Sequence, residues 1–236
     1  MSVGKVAGKL VPGRLRQRNT YAVSGAIALA IIIVLIYVAG FTSAFSVRKV
    51  TVSGLHRLTT KGVLAVAQVP KGKPLARLDL KPIRERVEAI PGVARVDVRR
   101  AWPDGVRIVV TERTGVAVID RSGGHWLVDV DGVAFQRLHG TVRGVPTLTP
   151  APAKSPDPAA KAALRVAADL PSWLRVRTIS ITAKTPDSVT LTLTKGRTVK
   201  WGAATQDERK AQILSALLKR SGTVYDIESP KVVAVH

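Results

Sequence analysis

VRRAWPDGVRIVVTER, residues 98–113, sets two apolar runs around a Trp-Pro-Asp-Gly turn. Val96 and Val98 before the turn and Val106, Ile108 and Val110 after it recur at period two. They share one face of a hairpin, while Arg95, Asp97, Arg99 and Arg107 share the other. Pro103 presets the turn backbone, and Gly105 is expected at the positive φ that closes it. One apolar face and one wet face make the hairpin a wall of a small core.

The residues upstream supply the rest of that core. VRKVTVSG, residues 47–54, alternates as a first strand. Thr59 caps a helix over residues 60–69, and PKGKPLARLD is a loop held by Pro70, Gly72 and Pro74. LKPIRERVEAI forms a second helix with Leu80, Ile83, Val87 and Ile90 along one face, stopped by Pro91-Gly92. The order over residues 45–115 is therefore β-α-α-β-β, an α+β unit.

Between Arg18 and Arg48 no charged residue occurs. Tyr21 to Gly40 is apolar over a length that spans about 30 Å as a helix, enough for a bilayer core. Residues 21–41 read as one transmembrane helix, anchored by side chains such as Tyr21, Ile31, Ile32, Ile33, Leu35 and Phe41. The tail before it, residues 1–20, carries Lys5, Lys9, Arg14, Arg16 and Arg18 without an acid. By the positive-inside rule it stays cytoplasmic and everything after the span is exported, a single-pass type II topology. Cleavage after a signal peptide is the rival reading, because Thr42-Ser43-Ala44 is small-x-small, but the apolar run exceeds a usual signal core.

That topology decides how the charge is read. A formal net charge of +21 suits nucleic acid, yet an exported domain meets no chromosome, so nucleic acid is set aside. The excess is spread over both exported halves, as a solvated basic surface would be. An exported module binding anionic wall polymers or lipid head groups stays open as the alternative function. With 46% hydrophobic residues the chain is globular, and without cysteine it has neither disulfides nor thiolate chemistry.

From residue 116 to 236 the pattern turns mainly to strands, read as a mainly antiparallel β-domain with flanking helices. Ala117–Asp120, His125–Val130 and Val133–Leu138 form a meander, joined at Ser122-Gly123-Gly124 and Asp131-Gly132. VPTLTPAPAKSPDPAAK reads as a surface loop leading into a helix over Ala159–Leu170, with Trp173 and Leu174 behind it. Val176–Ala183, Val189–Thr194 and Arg197–Trp201 alternate again. Thr205 and Glu208 fit a capping box opening a helix that runs to Arg220, with Leu214, Leu217 and Leu218 on its buried face. The last residues, VYDIESPKVVAV, give one or two strands. The final one, Lys231–Val235, is apolar and terminal and is expected at a sheet edge, where unpaired backbone groups accept a partner strand.

Catalytic signatures are wanting. His56, His125, His139 and His236 have no metal-ligand spacing. Asp129-Val-Asp131-Gly132 begins like a calcium loop, but Val133 and Phe135 hold the later ligand positions, so it reads as a hairpin turn. Ser43 and Ser122 lack a base, and no phosphate-cradling loop or nucleophile elbow occurs. The expectation is an interaction protein, with no enzymatic activity, cofactor or metal.

The segments VSGLHRLTT, ARLDLKPIRERVEAIPGVARVDVRRAWPDGVRIVVTERTGVAVI, LVDVDGVAFQ, WGAATQDERKAQILSALL and YDIESP resemble the FtsQ/DivIB family of bacterial cell-division proteins, in which a POTRA module precedes a β-domain. The resemblance implies a divisome scaffold at the division septum, linking early and late division proteins and helping to control septal wall synthesis. Its implied partners are the single-span proteins FtsB (DivIC) and FtsL, with the septal synthase FtsW/FtsI beyond them. Carried over by position, the docking region begins at Tyr225, Asp226, Ile227, Glu228 and Ser229 and continues through Lys231, Val232, Val233, Ala234 and Val235. The family's POTRA modules also serve recruitment, which points to Arg99 and Arg107 on the wet face of the hairpin.

Overall fold

The computed structural model describes residues 14–41, 45–121, 123–140, 142–149, 157–229 and 232–235. In the first helix and last strand, side chains are described at 23–35, 37, 234 and 235. Residues 1–13, Thr42-Ser43-Ala44, Ser122, Lys231 and His236 lie outside the described residues, as do the side chains of Tyr21, Phe41, Val232 and Val233. The chain forms two compact units. One holds residues up to 55 with Thr59–Val87 and Val96–Val110; the other holds residues 56–58, Glu88–Arg95 and 111 onward.

Helix α1 runs Arg14–Phe41. Its described side chains form a run shorter than the roughly 20 residues of a bilayer crossing. Among the described residues, no helix is therefore long and apolar enough to cross a membrane.

Next come β1 (Lys49–Ser53), α2 (Thr60–Ala67), α3 (Lys81–Glu88), β2 (Val93–Ala101) and β3 (Gly105–Glu112), the order expected from the alternation. They form a three-stranded sheet in the order β1-β3-β2, with β1 parallel to β3 and Val50 opposite Val106. Val63, Ala67, Ile83, Val87, Val96, Val98, Val106, Ile108 and Val110 are buried. Thr59 caps α2 by accepting the Gly62 N–H at 3.2 Å. The helix stops at Ala67, two residues earlier than expected, where Gln68 turns left-handed at φ 44°.

Two glycines explain the motifs around this sheet. Gly54 has φ +82°, and a Cβ there would lie 2.0 Å from the Val110 carbonyl oxygen, so the glycine of VSG lets β1 leave the sheet against β3. Gly105 differs from expectation: its φ is not in the left-handed region. It opens β3 beneath the Ala101 carbonyl oxygen, which a Cβ would approach to 3.1 Å, so its role is close strand approach. Arg100 has the same parity as Val96 and Val98 yet stays exposed, and its guanidinium reaches the chain before α3, where Nε donates to the Leu75 carbonyl at 2.6 Å and Nη2 to that of Leu78 at 2.8 Å.

The second unit carries β4 (Ala117–Arg121), β5 (Gly124–Val128), β6 (Ala134–Leu138), β7 (Thr147–Leu148), α4 (Pro158–Asp169), α5 (Ser172–Arg175), β8 (Thr178–Ala183), β9 (Val189–Leu193), β10 (Arg197–Gly202), α6 (Asp207–Leu217), β11 (Val224–Ser229) and β12 (Val232–Val235). Its nine-stranded sheet has the order β12-β11-β10-β9-β8-β7-β4-β5-β6. Pairing is mostly antiparallel, but parallel where β10 meets β11 and where β7 meets β4 and β8. The proline-rich stretch reads as a surface loop leading into α4, but near its start the structure has β7, which joins the two meanders because Leu148 is drawn into the core at 3% exposure. Ala163, Leu164, Val166 and Ala167 of α4 and Ala211, Leu214 and Leu217 of α6 form one cluster with Ile181, Leu191, Val199, Trp201, Tyr225 and Ile227 of the strands. Each fully buried large apolar side chain contributes about 2 kcal/mol.

The capping box does not form. Gln206 is the N-cap of α6 in a left-handed conformation, φ 55°, and no side chain caps it. Asp207 and Glu208 instead place acids in the first turn, the positive end of the helix dipole. By contrast Asp157 caps α4, accepting the Ala160 N–H at 2.7 Å.

Candidate functional site: the terminal sheet edge

A strand at a sheet edge leaves one row of amide and carbonyl groups unpaired by its own sheet. β12 is at one edge of the nine-stranded sheet. It pairs antiparallel with β11, with Val235 opposite Tyr225, Ala234 opposite Asp226 and Val232 opposite Ser229; the register shifts between Asp226 and Ser229. Such a bulge bends the edge and increases its local twist.

The side chains behind that edge alternate. Tyr225 and Ile227 are fully buried. Tyr225 donates its hydroxyl to the Gly222 and Arg220 carbonyls at 2.9 and 3.0 Å, and Arg197 stands 5.8 Å from its ring centroid. These two residues fix the position of β11. Asp226 faces the other way and pairs with Lys200 of β10 at 3.5 Å, a half-exposed contact worth under about 1 kcal/mol. Glu228 and Ser229 are exposed. Gly202 ends β10 with φ +75°, and a Cβ there would lie 3.0 Å from the Glu228 Cα, so β10 and β11 meet closely at this point.

At that end of β10 lies a residue that its residue type does not announce. Lys210 is 1% exposed. Its ammonium donates to the Trp201 and Ala203 carbonyls at 2.8 and 2.7 Å and stands 5.9 Å from the Trp201 ring centroid. The Trp201 indole N–H donates to Asp207, tying the same strand end to the first turn of α6. Desolvation pushes the Lys210 pKa below its ordinary 10.5, against the opposing pull of Asp207 and Glu228. The signal was present in the sequence, since 210, 214 and 217 fall at helical spacing on the apolar stripe.

A second anchored residue sits at the end of the opening hairpin. Glu112 accepts the backbone N–H groups of His56 and Leu58 at 2.8 Å and that of Arg57 at 3.0 Å. Burial alone would raise its pKa, but the three N–H donors and then Arg57 outweigh this and hold it below the ordinary 4.5. Its neighbour Arg113 forms an ion pair with Asp129, which also accepts the N–H groups of Asp131 and Val133 at 3.0 and 2.8 Å. Asp129 thus organises the hairpin turn expected there.

In the three-stranded sheet, Arg99 and Arg107 are exposed on the face away from the core, Arg99 beside Asp97 at 2.6 Å. They belong to the other compact unit from the terminal edge. On α1, Ile31, Ile32, Ile33 and Leu35 are 52–61% exposed. His125 contacts Asp120, and among the described residues no group of three or more His, Cys, Asp and Glu could hold a metal ion.

Comparison with known proteins places these elements. The family model "POTRA domain, FtsQ-type" matches residues 45–113, and "Cell division protein FtsQ/DivIB, C-terminal" matches residues 117–234. The cell division protein FtsQ of Streptomyces griseus is 36% identical over 204 residues, covering 82% of this chain and 98% of that protein. FtsQ of Streptomyces bingchenggensis is 34% identical over 232 residues, covering 94% and 88%. FtsQ of Mycolicibacterium smegmatis is 37% identical over 235 residues, covering 98% and 70%.

Proposed function

The chain belongs to the FtsQ/DivIB family of cell division proteins, and from that premise we propose that it is a non-enzymatic, single-span scaffold of the divisome whose terminal strand docks its partners. The 1–20 tail lies in the cytoplasm, residues 21–41 cross the membrane, and the POTRA module (45–115) and β-domain (116–236) are exported and concentrate at the septum. Support for the span comes from α1, whose Val23, Ile27, Leu29 and Ile31–Leu35 are exposed all round the helix. Water solvates such an apolar sleeve poorly and a bilayer core solvates it well.

The observation that carries the docking reading is the position of β12 at an open edge of the nine-stranded sheet. The occupants are the membrane-proximal extracytoplasmic segments of the FtsB (DivIC) and FtsL partners, one adding a strand alongside β12, with FtsW/FtsI reached through them. Main-chain hydrogen bonds supply affinity, and exposed Glu228 and Ser229 at the bulge supply contact chemistry. Tyr225 and Ile227, buried, act by fixing β11. Arg99 and Arg107 contribute a separate recruitment surface.

Proline scanning of β12 tests this. Successive N–H groups of a strand point to opposite sides, so of Val233→Pro and Ala234→Pro one removes a bond to β11 and the other an outward donor. The outward variant loses capture of the FtsB-like segment with its melting temperature unchanged. Full capture by both folded variants contradicts strand addition at this edge.

A further inference from the structure

A cleft of about 540 Å³ opens beside the turn that joins β9 to β10, lined by Arg177, Leu193, Thr194, Lys195, Arg197 and Leu218. Its size is that of a ligand site, and its chemistry is one-sided. Leu193 is 2% exposed and lies behind the wall, so what a ligand meets is three cations, the Thr194 hydroxyl and the edge of Leu218. Among the described lining residues there is no carboxylate.

The two arginines are held in place without being neutralised. Arg197 donates to the Leu218 carbonyl at 3.2 Å and stands over the Tyr225 ring at 5.8 Å. Arg177 stands over the Trp173 ring at 5.7 Å. Lys195 occupies the tip of the turn in a left-handed conformation, φ 65°. None of the three has an acidic partner among the described ion pairs. Guanidinium groups already placed over aromatic rings, that of Arg197 also bonded to the backbone, lose less freedom when an anion arrives, and their fork geometry matches phosphate oxygens.

We propose that this cleft binds a phosphodiester-linked polymer, taking one phosphate between Arg177 and Arg197 with Lys195 at the rim. An acidic peptide fits less well, because peptide sites use an exposed aromatic or aliphatic anchor, whereas Leu193 is buried and Leu218 offers only an edge. A bilayer fits less well too, because flat head-group surfaces are met by protruding cations, whereas these line a recess. The site is distinct from the β12 edge and does not depend on strand addition there.

The test separates a built site from the diffuse attraction of a chain with net charge +21. The full chain, in nanodiscs of zwitterionic lipid, is titrated with a fluorescent oligomer of poly(glycerol phosphate). Two double variants each remove two cations: Arg177→Gln with Lys195→Asn in the cleft, and Lys161→Gln with Arg165→Gln on the exposed side of α4. Asparagine tolerates the left-handed backbone at 195. Binding falls about tenfold in the cleft variant and less than about twofold in the α4 variant, with melting temperatures matching the parent. Equal losses in the two variants overturn the proposal in favour of general electrostatics. Competition by oligoglutamate as strong as by unlabelled oligomer, or binding that requires phosphatidylglycerol in the nanodisc, overturns it in favour of a peptide or a membrane surface.

Discussion

The Lys210 ammonium lies 2.8 Å from the carbonyl oxygen of Trp201, inside the β-domain, at the point where β10 ends against β11. A buried lysine bound to two carbonyls holds a strand end to a helix, and here the strand end lies next to β11, which carries β12. Truncation by Lys210→Ala removes the packed stem and leaves both carbonyls without their donor. The expected loss is about 3 kcal/mol, read from urea unfolding.

Lys210 also gives a pH signature. Its folded pKa is below 10.5, so the unfolded chain holds this proton more tightly. Below the folded pKa the charge costs stability in full, and the cost is relieved as pH rises through that value towards 10.5. The parent gains stability relative to Lys210→Met over this alkaline window; parallel pH profiles for the two proteins contradict the burial of a charged group here.

Glu112 acts with the opposite consequence. Its folded pKa lies below the ordinary 4.5, so its contribution is present above the unfolded value and disappears as pH falls through the folded one. Glu112→Gln costs about 2 kcal/mol at neutral pH and narrows to a smaller deficit in acid, as urea midpoints from pH 7 down to pH 3 would display.

At Gly54 the constraint is backbone. With φ +82° and the Val110 oxygen 2.0 Å from a built Cβ, Gly54→Ala forces β1 away from β3. A loss of about 3 kcal/mol or more follows, measurable as a fall in melting temperature.

Tyr225→Phe removes only the hydroxyl bonds to Arg220 and Gly222. The expected cost is about 1 kcal/mol, with capture of the FtsB-like segment unchanged, because the side chain faces the core. A large loss of capture without a loss of stability would place Tyr225 in direct contact with the partner.

Much of this was legible because periodicity reports burial. Val96, Val98, Val106, Ile108 and Val110 alternate and are all buried, and Thr59 caps the helix that its position announces. The misses share a cause: each depends on backbone geometry or packing that residue pattern alone does not carry. Gly105 was assigned from turn chemistry, yet its limit is the Ala101 carbonyl. Thr205 and Glu208 have capping-box spacing, yet Gln206 turns left-handed and Trp201 takes Asp207 as its acceptor. β7 is two residues long, too short to show a period, and exists because β4 and β8 flank it. The terminal edge was readable from position and apolarity. Lys210 and Glu112, which brace the unit carrying that edge, resemble ordinary surface charges until the fold supplies their carbonyl and amide partners.

Strand addition at β12 is tested most directly by amide hydrogen exchange across Val232–Val235 in the full chain, alone and saturated with the extracytoplasmic segment of an FtsB-like partner. A partner strand on that edge slows exchange at alternate amides of β12 and leaves β6, at the far edge, unchanged. Exchange in β12 that stays the same while the partner is bound would contradict docking at the terminal edge.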